Sequence, residues 1–130
     1  MAPNTGVSAT EIGYGVVQVL RKKITLADAG LTVTVGKMPP YSHVIGGGVH
    51  VTTGFTTGTV GVGYIGSTTV AAAYGSALAT TAVGFIALDE LATATNIMQT
   101  VETTVTAAVA GTTQGEAYIL IMYITSYPQA

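Results

Sequence analysis

Ions are nearly missing from the middle of this chain: no residue between Lys37 and Asp89 carries a full charge at neutral pH, and only 8% of all positions are Asp, Glu, Lys or Arg. Soluble domains usually devote about a quarter of theirs to these residues, so hydroxyls must cover the exterior instead. Four basic against six acidic side chains leave a formal charge of −2. That is too weak a positive field for a nucleic-acid binder, which needs several Lys or Arg on one face. Cysteine is absent as well. Neither a disulfide framework nor a thiolate metal site can form, and stability beyond core packing has to come from association. The opening Met1-Ala2-Pro3-Asn4-Thr5-Gly6 has neither the basic nor the apolar segment of a secretory signal, which predicts folding in the cytosol of the producing cell. Residues 70–88 are uncharged and long enough to cross a bilayer. Ala, Thr, Gly and Ser dominate them and no Lys or Arg flanks them, so no membrane partner is expected.

What fills the chain is Val, Ala, Gly and Thr. Threonine suits a strand, because its branched Cβ fits the pleat while its hydroxyl faces water. With 130 residues, one domain with its own core is expected. The first residues, with Pro3, Gly6 and Gly13 among small polar ones, read as an arm (1–13) preceding a body (14–130). Residues 14–26 favour a strand through β-branching. Asp28-Ala29-Gly30 is a turn, and Leu31-Thr32-Val33-Thr34-Val35 alternates strictly, apolar against hydroxyl, as a half-buried strand does. Pro39-Pro40 closes this segment. Residues 43–53 form the next strand, with Gly46-Gly47-Gly48 permitting a bulge or a close backbone approach.

Gly54 turns the chain, and 57–65 alternates again, Val60, Val62 and Tyr64 opposite Thr59, Gly61 and Gly63. The Ala-rich stretch 70–79 is expected to form a short helix or a small-residue loop over the sheet edge. Residues 83–88 are a short apolar strand ended by Asp89-Glu90, 91–98 one turn, and 101–106 an alternating strand. Gly111-Thr112-Thr113-Gln114-Gly115 has hairpin-loop chemistry. The last run sets Ala117, Ile119, Ile121 and Tyr123 against Tyr118, Leu120, Met122 and Ile124. Apolar residues on both faces mark an interior strand or one covered by a partner. About seven short strands with Gly-rich turns imply an all-β chain folded as a single β-sandwich.

Catalytic constellations are not found. Gly61-Val62-Gly63-Tyr64-Ile65-Gly66 matches the dinucleotide fingerprint, but that motif needs a strand entering, a helix leaving and an acidic residue further on. A Gly-rich strand is the better reading. His43 and His50, seven apart, would face opposite ways in a regular strand, and neither has an acidic neighbour, so no metal site is expected. Adjacent carboxylates at Asp89 and Glu90 diverge on a strand and suit a turn better than an acid/base pair. No serine lies in a nucleophile elbow. Catalytic residues, cofactors and metals are therefore none.

Arg21-Lys22-Lys23 is the one concentration of charge. It reads either as a solvated edge that blocks strand pairing or as a docking patch for an acidic surface. Among the seven tyrosines, Tyr123 is assigned to the core and Tyr127 to an interface, where an apolar body with a polar tip is favoured.

The run from Val19-Leu20-Arg21-Lys22-Lys23-Ile24-Thr25-Leu26 through Asp28-Ala29-Gly30 to Val35-Gly36, with Val49-His50-Val51-Thr52-Thr53-Gly54-Phe55 and Gly115-Glu116-Ala117-Tyr118-Ile119-Leu120-Ile121-Met122-Tyr123-Ile124, resembles the head decoration, or cement, proteins of tailed bacteriophages. The resemblance is one of texture over most of the chain. It implies a jelly-roll-like sandwich that trimerises, sits on the outer surface of the capsid and bridges neighbouring major capsid subunits. The resemblance does not itself place the interface; as the one concentration of charge, Arg21, Lys22 and Lys23 are expected at the capsid contact. Pro3, Asn4 and Thr5 of the arm, and Tyr127, are expected at subunit interfaces. A tail or fibre component, or a carbohydrate-binding sandwich, would fit the same composition, although the absence of Trp weakens the latter.

Overall fold

Strand alternation becomes two packed antiparallel sheets in the computed structural model, which describes residues 17–92 and 98–125. Among these residues nine strands follow in chain order: β1 (Gln18–Thr25), β2 (Thr32–Met38), β3 (Ser42–Thr53), β4 (Thr56–Ile65), β5 (Thr69–Ala79), β6 (Gly84–Ala87), β7 (Met98–Gln99), β8 (Thr103–Thr112) and β9 (Glu116–Thr125). A 3-10 turn, Leu26–Asp28, joins β1 to β2. It is closed by the Asp28 carboxylate, which accepts the Thr25 N–H at 2.9 Å.

Sheet I has the order β1-β9-β3-β6, with β7 paired to the start of β3, and sheet II the order β2-β8-β4-β5. The pairs β1 with β9, β2 with β8, β3 with β6 and β4 with β5 are nested like the rungs of one long hairpin folded at the β4–β5 turn. Successive rungs alternate between the two sheets. A long hairpin rolled in this way is the jelly roll. The sandwich expected from composition and the jelly-roll form expected from the resemblance are both present.

Inward-facing side chains of both sheets meet in one core. Sheet I supplies Ile24, Val44, Val49, Val51, Ala117, Ile119 and Ile121; sheet II supplies Val35, Met38, Val60, Val62, Tyr64, Val105, Ala107 and Val109. Each large member contributes about 1.5–3 kcal/mol by leaving water. Tyr123 is buried, as its position on the inward face of β9 requires, and its hydroxyl donates to the Gln18 side-chain oxygen at 2.8 Å.

Three expectations are corrected. Residues 70–79 are neither helix nor loop: they belong to β5, paired to β4. The pairing is broken, however. Val62 faces Gly75 while Tyr64 faces Val70, so residues 71–74 arch out of register. A side chain at Gly63 would collide with the carbonyl oxygen of Val70 and the backbone of Ala71, so the arch needs a glycine beneath it. Its alanines had hidden the strand because they favour helix and the period is interrupted. Second, the loop 111–115 does not close a hairpin. It carries the chain from β8 in sheet II to β9 in sheet I, because turn chemistry reports a reversal and not which sheet receives the next strand. Third, His43 and His50 do not face opposite ways. A bulge between Val44 and Gly46 inserts one residue, so His43 lies opposite Ile124 and His50 opposite Tyr118, both on the outward side of β9. Gly47, with φ +129° and the Leu120 carbonyl against it, takes the strained position of this bulged segment. The one-turn expectation for 91–98 falls largely outside the described residues.

Candidate assembly surface

The outward face of sheet I can be built row by row from the strand register. Val19 lies opposite Met122, and Met122 opposite Gly46; Arg21 lies opposite Leu120, and Leu120 opposite Gly48, which pairs with Ala87. The next row runs Lys23, Tyr118, His50, Phe85. Val17 and Ile124 continue the alternation at the opposite end, and the bulge leaves Ile45 exposed next to Gly46, which faces Met122. Val19 and Phe85 are more than half exposed, at 53% and 57%. Nearly half of the large apolar side chains left in solvent among the described residues belong to this region: Val17, Val19, Ile45, Phe85 and Met122. A monomer seldom gathers them on one face, and such gathering marks interaction surfaces.

The outward face of sheet II differs in kind. Thr34, Thr106 and Gly63 share one row, and Thr32, Ala108 and Gly61 the next. Small side chains and hydroxyls make up most of it, with the 71–74 arch lying across its glycines and Thr106 buried; Lys37, Thr104 and Ile65 form the row beyond, Lys37 and Ile65 exposed. The hydroxyl coat read from composition is thus concentrated on one sheet and at the end of the sandwich. There Thr57 and Thr112 share a hydrogen bond at 3.3 Å, and the Thr112 hydroxyl donates to the Thr56 carbonyl at 3.1 Å.

The charged triplet is divided by the pleat. β1 is an edge strand of sheet I, so alternate residues face opposite ways. Arg21 and Lys23 are exposed on the outward face, whereas Lys22 is half-buried on the inward side between Leu20 and Ile24. A lysine turned inward on an edge strand is a known obstacle to pairing with another chain. Lys23 meets the Glu116 carboxylate at 3.6 Å. The Arg21 guanidinium sits over the Tyr118 ring, 4.3 Å from its centre, within cation–π range. Among the described residues Arg21 has no carboxylate partner. Pro3, Asn4, Thr5 and Tyr127 lie outside the described residues.

The other sites considered in the sequence separate. Gly61 to Gly66 end β4 and its turn, and another strand follows them. His43 and His50 share a face, but their β9 partners are six residues apart, about 20 Å along a strand. Among the described residues no three His, Asp or Glu side chains gather where a metal could be held. The Asp89 carboxylate accepts the Ser76 N–H at 2.9 Å. No helix among the described residues is long and apolar enough to cross a membrane.

The surface that the sequence reading underrated is therefore apolar. Its signal was visible in β9, whose second face, Leu120, Met122 and Ile124, is as apolar as its first, yet only the first is buried against sheet II.

No family model matches the chain, and no curated protein matches it. Two solved structures share its fold. A chain of the cyanophage Pam1 capsid asymmetric unit superposes with a TM-score of 0.68 at 20% identity, covering 95% of this chain and 94% of that one. A chain of the capsid of Ralstonia phage GP4 superposes with a TM-score of 0.70 at 16% identity, covering 96% and 94%. At these identities the likeness is one of fold, and it runs over almost the full length of both partners.

Proposed function

We propose that this protein is a non-enzymatic structural component of a phage virion, a decoration or cement subunit on the outer surface of the capsid that bridges neighbouring major capsid subunits. The observation that carries the reading is the whole-length match of its jelly roll to chains from two phage capsid structures. An ion-poor exterior with an apolar face on sheet I supports it, since such a surface is better suited to protein than to water. The mechanism is thermodynamic. A subunit that binds only the closed lattice stabilises it by mass action, by about 2.7 kcal/mol per site at a hundred times its Kd. Association into a homotrimer would multiply weak contacts into firm attachment. The N-terminal arm with Pro3, Asn4 and Thr5, and Tyr127 near the other terminus, are proposed to reach neighbouring copies, and Arg21, on the outward face of β1, to face the shell.

The test is direct. Purified protein added to undecorated, expanded capsids should bind saturably and raise the temperature at which they rupture. Neither effect would appear if the protein belongs elsewhere, and immunogold labelling of intact particles would then locate it on a tail or fibre.

A further inference from the structure

The outward faces of the two sheets differ in their exposed apolar content: sheet I leaves Val17, Val19, Ile45, Phe85 and Met122 in solvent, whereas the paired rows of sheet II set Ile65 among Thr, Ala, Gly and Lys37. Sheet I presents Val17, Val19, Met122 and Ile45 at one end, Arg21 stacked on Tyr118 in the middle and Phe85 beside His50 at the other. Met, aromatic residues and Arg are the types enriched at interface centres, and Thr and Ser are not. A guanidinium seated over a ring is partly restrained by that contact and still offers N–H donors, a fork that matches a carboxylate. Less conformational freedom is then lost when it is engaged.

We infer that the outward face of sheet I is the surface that docks on the shell, and that its partner is a different protein presenting an apolar patch with a carboxylate opposite Arg21. This rests on the virion reading proposed above. A second copy of the chain is a poor occupant on grounds of charge. Asp28 is held by the Thr25 N–H, Asp89 by the Ser76 N–H, Glu102 by Lys37 at 4.0 Å and Glu116 by Lys23; Glu90 is engaged too. Four of the five described carboxylates are thus partnered within their own chain. Two such faces brought together would bring a second Arg21 and no described carboxylate of that face free to meet it, a like-charge arrangement that disfavours pairing. Complementarity asks for a carboxylate from outside. Glu11 is the one acidic residue beyond the described segments, and the test includes it.

The experiment measures binding to undecorated capsids, and mass in solution, for the wild type and for Val19→Glu, Met122→Glu, Arg21→Glu and Glu11→Gln. Thr34→Glu serves as control on the outward face of sheet II. Because the altered side chains at positions 19, 21, 34 and 122 are exposed, all should fold, which thermal unfolding by circular dichroism checks. The first three variants should lose at least about tenfold in shell affinity with unchanged mass. Thr34→Glu and Glu11→Gln should bind as the wild type does. Wild-type binding with full affinity in Val19→Glu and Met122→Glu overturns the inference while leaving the virion reading intact. A lower mass for those variants would make the face a contact between copies, and a loss in Glu11→Gln equal to that in Arg21→Glu would assign the carboxylate to the chain's own arm; either overturns it. If the wild type itself fails to bind, the virion reading falls, and this assignment with it.

Discussion

Tyr74 is fully buried, its ring tilted against Tyr64 with centres 5.7 Å apart, and its hydroxyl has no hydrogen-bond partner among the described residues. Burial, and secondarily the nearby Tyr64, push its phenol well above the ordinary value near 10. The folded protein therefore keeps this proton where the unfolded chain releases it. Stability contributed by the neutral phenol is whole below about pH 10 and declines as pH rises beyond it. Tyr74→Phe deletes an unpaired polar atom with little change of shape, so it should raise stability at neutral pH by about 1 kcal/mol and lessen the alkaline decline. Urea unfolding of both proteins at neutral pH and at about pH 11 checks the two effects; a variant less stable at neutral pH would mean the hydroxyl is satisfied. Other residue-scale facts were only half visible in the sequence. The Arg21-Lys22-Lys23 triplet is conspicuous in one dimension, yet the pleat sends Lys22 one way and its neighbours the other. A bulge of one residue at Ile45 reverses the relation between His43 and His50. No composition argument sees either.

At the scale of the strand, β9 holds both the core and the exposed surface, on alternate residues. Ile121 is fully buried between the sheets and Met122, its neighbour, is exposed at 38%. Ile121→Ala should cost about 2–5 kcal/mol through lost burial and the cavity left behind, while Met122→Ala should change stability by no more than about 0.5 kcal/mol. Chemical unfolding measures the first and capsid binding should register the second. Such alternation was legible beforehand in β2, β4 and β9, because a period of two is a local property of the chain. β5 was not legible. Its register with β4 breaks over residues 71–74, and the segment is secured by a glycine on another strand, Gly63. Local pattern cannot carry a constraint whose other half lies across the sheet.

For the whole molecule, the nested order of pairs joins β1 to β9 across nearly the full chain. Any strand with one apolar side could have paired with any other, so the sandwich was readable and its strand order was not. The charge pattern, by contrast, matters only once this order is known. Had Arg21, Lys22 and Lys23 formed one patch, docking on the shell would be an electrostatic event, lost as salt shortens the screening length. In the folded protein Lys23 is matched by Glu116, Lys22 turns inward, and Arg21 alone remains among Val19, Leu120 and Tyr118. Docking through such a face should depend chiefly on apolar contact, with one ion pair shielded from solvent and therefore only weakly screened. Raising sodium chloride from about 0.05 to about 0.5 M should accordingly change shell affinity by less than about tenfold, although it compresses the Debye length severalfold. The association rate should fall more than the lifetime of the complex, because steering acts before contact and burial after it. Surface plasmon resonance on immobilised capsids resolves the two rates. Loss of affinity by orders of magnitude, arising in the dissociation rate, would instead place the β1 cations together at the contact and the apolar face away from it.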